Sequence, residues 1–338
     1  VQVEHLQTIM DQYQVQPHYV EENGALYKLF TWGGIYALKK VKGGGQALSS
    51  LVQATQIFMK RQLRIGVPIV PTISNQLFSS DGVNYYYLTP WIEAKERSAR
   101  DQLHEVFKLS AKLHQQTSKE NKIEDERYEQ FYDFWTNKMD DRKQLMEDFL
   151  NYCEQQIYMS PFELNYCLHA NEMMKLDDIA RQKLDLWHEK VAGKEKERVS
   201  LCHGALKLEN LVNHHNDKSY FINFEHSYIA PAVFDLEYLV NQHVYQFPDS
   251  RKAIFTGLQA YQRIFPLAED EKLLLSWLLL NNISITDAIT DYQNQTTRNE
   301  LKHVKRLQRT IGLTQNISHV VYETFDKPVM NTSKSTSQ

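Results

Sequence analysis

Two turn dipeptides, Asn23-Gly24 and Gly33-Gly34, cut the start of the chain into short runs of β-branched and aromatic residues. Such dipeptides accept positive φ and specify tight hairpins between antiparallel strands. PHYVEEN, ALYKLFTW and GIYALKKVK are therefore predicted to form a three-stranded meander. The run ALSSLVQATQIFMKRQLRIG then places Leu48, Leu51, Val52, Ile57, Phe58 and Leu63 near helical spacing. It stops at Gly66, with Pro68 beyond. IVPTISN and VNYYYLTPWIE, joined through Ser80-Asp81-Gly82, complete an N-terminal lobe over residues 1–92, with five antiparallel strands and one helix.

From about residue 97 the period changes to that of helices. RDQLHEVFKLSAKLHQQ brings Leu103, Val106, Phe107, Leu109, Ala111 and Leu113 mainly to one face. A second long helix fits EQFYDFWTNKMDDRKQLMEDFLNYCEQQI, and a third fits residues 161–191. NLVNH and SYFINFE read as short strands around a polar turn at Asn216 to Lys218, after which helices return from Phe234 to Gln315. Residues 93–326 are thus predicted as a mostly helical C-terminal lobe, and the Ser/Thr-rich segment 327–338 as a disordered tail. The chain has 338 residues, too many for one small core.

A net charge of −4, with no basic cluster among aromatics, argues against nucleic acid as a partner. The start, VQVEHLQTIMDQYQV, is too polar for a secretory leader, and LLLSWLLL at 273–280 is too short for a membrane span. A soluble, intracellularly made chain is expected. The three cysteines, Cys153, Cys167 and Cys202, lack metal-ligand spacing and read as reduced thiols. The same holds for His203, His214, His215 and His226, whose spacing matches no zinc site.

The segments CHGALKLENLVN at 202–213 and YFINFE at 220–225 resemble the active site of phosphotransferases of the aminoglycoside-kinase and choline-kinase type. There a His-Gly-Asp precedes an Asn by five residues from the Asp, and an Ile-Asp-Phe or Ile-Asp-Trp strand supplies a second carboxylate. His203, Gly204 and Asn210 match, but the base position is Ala205 and the metal-ligand position is Asn223. ALKKV at 37–41 resembles the third-strand motif of kinases, with Lys39 at the phosphate-pairing position. Residues 83–93, ending in Glu93, resemble the fifth strand and the hinge that holds adenine. Leu113-His114 resembles a pair that closes the following helix, and Asp235 an aspartate that braces the catalytic-loop backbone. The resemblance implies an α+β, protein-kinase-like two-lobed fold, with a small antiparallel-sheet N-lobe and a large helical C-lobe.

Within that superfamily the chain resembles the CotS-like endospore coat proteins, through the lysine strand, the long helical insert and the altered catalytic loop. This resemblance implies synthesis in the mother-cell cytoplasm, residence in the endospore coat, and other coat proteins as partners.

Phosphoryl transfer needs a carboxylate to orient the substrate proton and carboxylates to hold magnesium. Ala205 does neither, and Asn223 offers only a neutral oxygen. Loss of a positioned base alone costs about 10²–10⁴ in rate. On the nucleotide side, Glu22-Asn23-Gly24 is a tight turn and no Gly-rich loop, and Glu21 and Glu22 would repel a triphosphate if they pointed toward it. No acid lies between Gln46 and Arg64 to pair with Lys39, where Gln53 or Gln56 could only hydrogen-bond. No catalytic residue is therefore expected. His203 reads as a loop anchor, Asn210 and Asn223 as vestigial metal positions, Lys39 and Glu93 as a vestigial nucleotide cleft, and Asp235 as structural. No cofactor is expected, with weak ATP and magnesium binding left open. The alternative is an active small-molecule kinase, acting on an alcohol or sugar, with relocated carboxylates. Glu209 and Glu225 are the only acids near enough in sequence to serve.

Overall fold

A computed structural model describes residues 6–42, 44–123, 125–215, 218–281, 284–294 and 299–327. The chain opens with a short helix, α1 (Gln7–Gln12), and a meander of β1 (Tyr19–Asn23), β2 (Leu26–Thr31) and β3 (Gly34–Lys40). Helix α2 (Gly44–Arg61) follows, then β4 (Ser79–Ser80) and β5 (Tyr85–Pro90). The five strands form one antiparallel sheet in the order β1-β2-β3-β5-β4. Gly24, at φ +64°, lets β1 turn directly into β2. Alternate residues Val20, Tyr27, Leu29, Leu38, Tyr86 and Leu88 form one buried face, closed by Leu6, Ile9 and Met10 of the α1 region.

β3 is the middle strand, flanked by β2 and β5. Its register sets Lys39 opposite Tyr87 of β5. That single pairing positions two of the site residues.

Two boundaries differ from the sequence-based expectation. Residues 69–75 make only a bridge from Val70 to Leu88 and then turn, with Asn75 at φ +60°. Pro68 and Pro71 have no N–H to donate to a ladder, so the edge strand forms later, at Ser79–Ser80. Helix α2 ends at Arg61, before Gln62 at φ +53°, rather than running on to Gly66. Gly66 has a packing role instead: a Cβ there would lie 2.7 Å from the Phe58 ring and 3.2 Å from Phe224.

The rest comprises α3 (Ala99–Thr117), β6 (Lys119–Lys122), α4 (Asp125–Glu154), α5 (Pro161–Val191), β7 (Lys196–Cys202), β8 (Leu211–Asn213), β9 (Ser219–Phe221) and β10 (Tyr228–Ala230). Helices α6 (Val233–Gln246), α7 (Arg251–Ile264), α8 (Glu269–Leu280), α9 (Ser284–Gln293) and α10 (Glu300–Val321) complete it. This is an α+β, kinase-like two-lobed fold with a small antiparallel N-lobe sheet and a helical C-terminal part.

By internal contacts the chain divides into two compact units. The first holds residues 1–121, 198–239 and 260–265, and so includes both the N-terminal sheet and the loop after β7. The second holds 122–197, 240–259 and 266–338. Its core draws Met146, Phe149 and Cys153 of α4 together with Phe162, Tyr166 and Met173 of α5, Ile289 of α9 and Leu307 of α10. Helix α5 starts where Ser160 and Glu163 form a reciprocal capping box beside Pro161, and the Phe162 N–H donates to Glu300 of α10. Leu274, Leu275, Trp277, Leu279 and Leu280 of α8 are buried, which accounts for the apolar run there. The expected turn at Asn216 and Asp217, and the tail from residue 328 onward, lie outside the described residues.

Candidate functional site

The loop after β7 is held by buried anchors. Gly204 has φ +75°, and a Cβ built on it would lie 1.9 Å from the His226 carbonyl oxygen, so only glycine fits. Asp235, in the first turn of α6, is fully buried. It accepts hydrogen bonds from the backbone N–H of His203 (2.6 Å) and of Gly204 (2.9 Å), and from His114 Nε2 (3.1 Å). Burial alone would raise its carboxyl pKa. Hydrogen bonds from the His114 side chain and the His203 backbone outweigh it and hold the group below the ordinary carboxylate range. An ionised carboxylate only accepts, so His114 Nε2 bears a proton, and Nδ1 shares a hydrogen bond with Tyr261 Oη at 2.7 Å. His114 is thus a second brace, from α3.

His203 is also fully buried. Its Nε2 donates to the Ile222 carbonyl at 2.8 Å, and its Nδ1 faces the Ala205 N–H at 3.3 Å. Burial lowers its pKa and keeps the ring neutral. Both ring nitrogens are committed to the loop, and neither is placed to move a substrate proton.

Asn223 sits in the left-handed region at φ +69°, between β9 and a short 3-10 turn at Phe224–His226. Its Oδ1 accepts from Lys39 Nζ at 2.5 Å, and its Nδ2 donates to Asn210 Oδ1 at 2.7 Å. Asn210 Nδ2 in turn donates to the Ala205 carbonyl at 2.8 Å. The direction of this chain is forced, because an ammonium only donates. Lys39 Nζ also pairs with Glu225 Oε1 at 2.5 Å, and the same oxygen accepts from Tyr87 Oη at 2.9 Å. Glu225 is 7% exposed. Burial would raise its pKa, but the Lys39 charge and hydrogen bonds bring it below the ordinary value. Burial and that carboxylate push the Tyr87 phenol well up, so it remains a donor.

These residues border a cavity of about 590 Å³, also lined by Lys40, Lys42, Lys207 and Gly204. The structure therefore brings together Lys39, Ala205, Asn210, Asn223 and Glu225, with His203 and Asp235 behind them. Glu93 and Glu209 are exposed and absent from the lining, as are Glu21 and Glu22. Lys39 does have an acid partner, supplied by the 3-10 turn at Glu225 where α2 offers none. Tyr87 and the lysines at 40, 42 and 207 were not singled out in the sequence. The β3–β5 register would have exposed Tyr87, and the KKVK run hinted at the lysines.

A magnesium ion does not fit these side chains. Divalent magnesium prefers carboxylate and water oxygens. Here the amide oxygens of Asn210 and Asn223 already accept N–H bonds, and the one carboxylate is paired with an ammonium. A second cluster, His114, Cys202 and Asp235, fits a metal no better. The His and Asp atoms are mutually bonded, and burial keeps the Cys202 thiol protonated.

Fold and loop together define a phosphotransferase scaffold of the kinase-like class. The sequence profile of the phosphotransferase enzyme family (APH) matches residues 31–271, and the chain belongs to that family. Among solved structures it is similar to an aminoglycoside phosphotransferase from Alicyclobacillus acidocaldarius (TM-score 0.67, 12% identity, 94% of each chain covered). It is also similar to AMP-bound spectinomycin phosphotransferase (TM-score 0.54, 16% identity, 96% of this chain and 99% of that one). A third likeness is to a microcompartment-associated aminopropanol kinase (TM-score 0.51, 12% identity, 95% and 98%). At these identities the likeness is one of fold. No curated protein sequence matches the chain.

Proposed function

We propose that this chain is a catalytically degenerate member of its family that serves as a structural or interaction protein of the endospore coat. One observation favours loss of catalysis above all: the continuous hydrogen-bond chain Lys39–Asn223–Asn210–Ala205. It engages the oxygens a metal would need and ends on a backbone carbonyl where a kinase of this type has its base. Ala205 cannot orient a hydroxyl, and His203 is tied to Ile222. The coat assignment, with other coat proteins as partners and synthesis in the mother cell, follows from the CotS-like pattern of the lysine strand and altered loop.

The second reading, an active small-molecule kinase with a relocated carboxylate, is favoured by Glu225 lining the cavity beside Lys39. The similar structures named above are phosphotransferases and a kinase, which also supports it. Incubation with ATP, magnesium and a panel of amino alcohols, sugars and aminoglycosides separates the two. The non-catalytic reading expects no ADP above the rate of a Lys39→Ala control. Substrate-dependent ADP release that Lys39→Ala abolishes would refute it. For the coat role, the chain should be recovered by mass spectrometry from coat extracts and lost on decoating. Its presence only in the core fraction would overturn that part.

A further inference from the structure

The cavity has an excess of positive charge. Lys39, Lys40, Lys42 and Lys207 line it, against a single carboxylate, Glu225, which Lys39 already pairs. Among the described residues no acid pairs with Lys40, Lys42 or Lys207. Lys42 stands between β3 and α2, and Lys207 on the loop after Gly204, so the lysines approach from different segments of one compact unit. Ala205 and Asn223 add no negative charge where a kinase of this type has two aspartates. In such a kinase the metal offsets the charge of the phosphates.

Building on the non-catalytic reading above, we infer that this cavity binds a condensed phosphate anion, free or as the tail of a nucleotide, without any divalent cation. A lysine is a compact charge with three donors and binds phosphate oxygens well. Several lysines facing one concavity raise the local concentration of anions. Magnesium then acts with reversed sign. It strengthens binding where carboxylates await it, but here it neutralises the ligand and meets no vacant carboxylate.

Isothermal titration calorimetry with sodium triphosphate, and separately with ATP, tests this in EDTA and in excess magnesium. Saturable binding is expected in EDTA, weakened by about threefold or more when magnesium masks the ligand charge. The double variant Lys42→Gln/Lys207→Gln, at positions exposed and half-buried respectively, should bind about tenfold more weakly through loss of two partly screened contacts. Triphosphate binding as well as ATP would identify the phosphate chain as the recognised group. ATP binding with no triphosphate binding would overturn the inference, as would no saturable binding in EDTA, a requirement for magnesium, or an unaffected double variant. Failure here with no ATP turnover leaves the non-catalytic reading standing, whereas magnesium-dependent turnover removes that reading itself.

Discussion

Replacing Lys39 by methionine probes the network at its centre. In the native chain Lys39 Nζ is 2.5 Å from Glu225 Oε1 and 2.5 Å from Asn223 Oδ1, with side-chain exposures of 24% for Lys39 and 7% for Glu225. Removing one partner of a buried ion pair costs ~3–5 kcal/mol, because the other charge is left stranded. Tyr87 still donates to Glu225 and Lys39 is partly wet, so we expect a loss below that range, ~2 kcal/mol. A strand lysine in solvent would change stability by only about ±0.5 kcal/mol. The double variant Lys39→Met/Glu225→Gln should recover much of the loss, since no buried charge then remains. The pH dependence gives an independent check. The folded pKa of Glu225 is depressed, so its contribution is present above the unfolded value of about 4.3 and is lost as pH falls through the folded value. In Lys39→Met the unopposed burial raises that pKa, and the variant should lose stability as pH rises from about 4.3 toward neutrality. Urea unfolding at neutral pH and near pH 4.5 measures both effects. A Lys39→Met deficit that is absent at neutral pH, or equal at the two pH values, would refute the paired-lysine account.

Gly204→Ala should cost more than ~4 kcal/mol, since the Cβ would overlap the His226 carbonyl at a positive φ. Gly45→Ala, with open space around it in α2, should be neutral or stabilising by up to about 1 kcal/mol; equal thermal midpoints for the two variants would contradict this geometry. Asp235→Asn should destabilise by ~3 kcal/mol at neutral pH, because an amide can present only one acceptor oxygen to the donors Asp235 now serves. The folded pKa of Asp235 is depressed, so its contribution holds above about pH 3.9 and fades as pH falls below it. The gap between native and variant midpoints should therefore narrow in acid, and a gap constant with pH would count against an ionised Asp235.

The N-terminal meander was legible because its turns are chemical. Gly24 is needed at φ +64°, and apolar alternation fixes which face of β2 and β3 is buried. The long helices were legible from their apolar period, while the Ser160, Pro161 and Glu163 cap that starts α5 shows only in the structure. Strands β6, β7 and β10 were not: β6 and β10 are short, and β7, though seven residues long, pairs with segments far away in sequence, as with Tyr228 against Cys202. The site divided in the same way. Ala205 and Asn223 could be read as departures from a local pattern. The pairing of Lys39 with Glu225 spans 186 residues and needs the fold to close before it exists.

The two sets of loop residues answer to different physical demands. Gly204, Asp235, His114 and His203 hold the backbone: each is sterically fixed or is buried with its polar atoms engaged. Changing any of them leaves a clash or an orphaned polar group, at a cost to the whole unit. Position 205 contributes to the fold only its N–H and carbonyl, which bond to His203 and Asn210, and alanine supplies both. Position 223 needs a residue that tolerates the left-handed region, and asparagine does so at least as readily as aspartate. Its amide adds a donor, which joins Asn210 to Lys39 as a carboxylate could not. The hydrogen bonds that hold this loop therefore do not require an acid at either position, and alanine at 205 with asparagine at 223 leaves Glu225 as the one carboxylate lining the cavity.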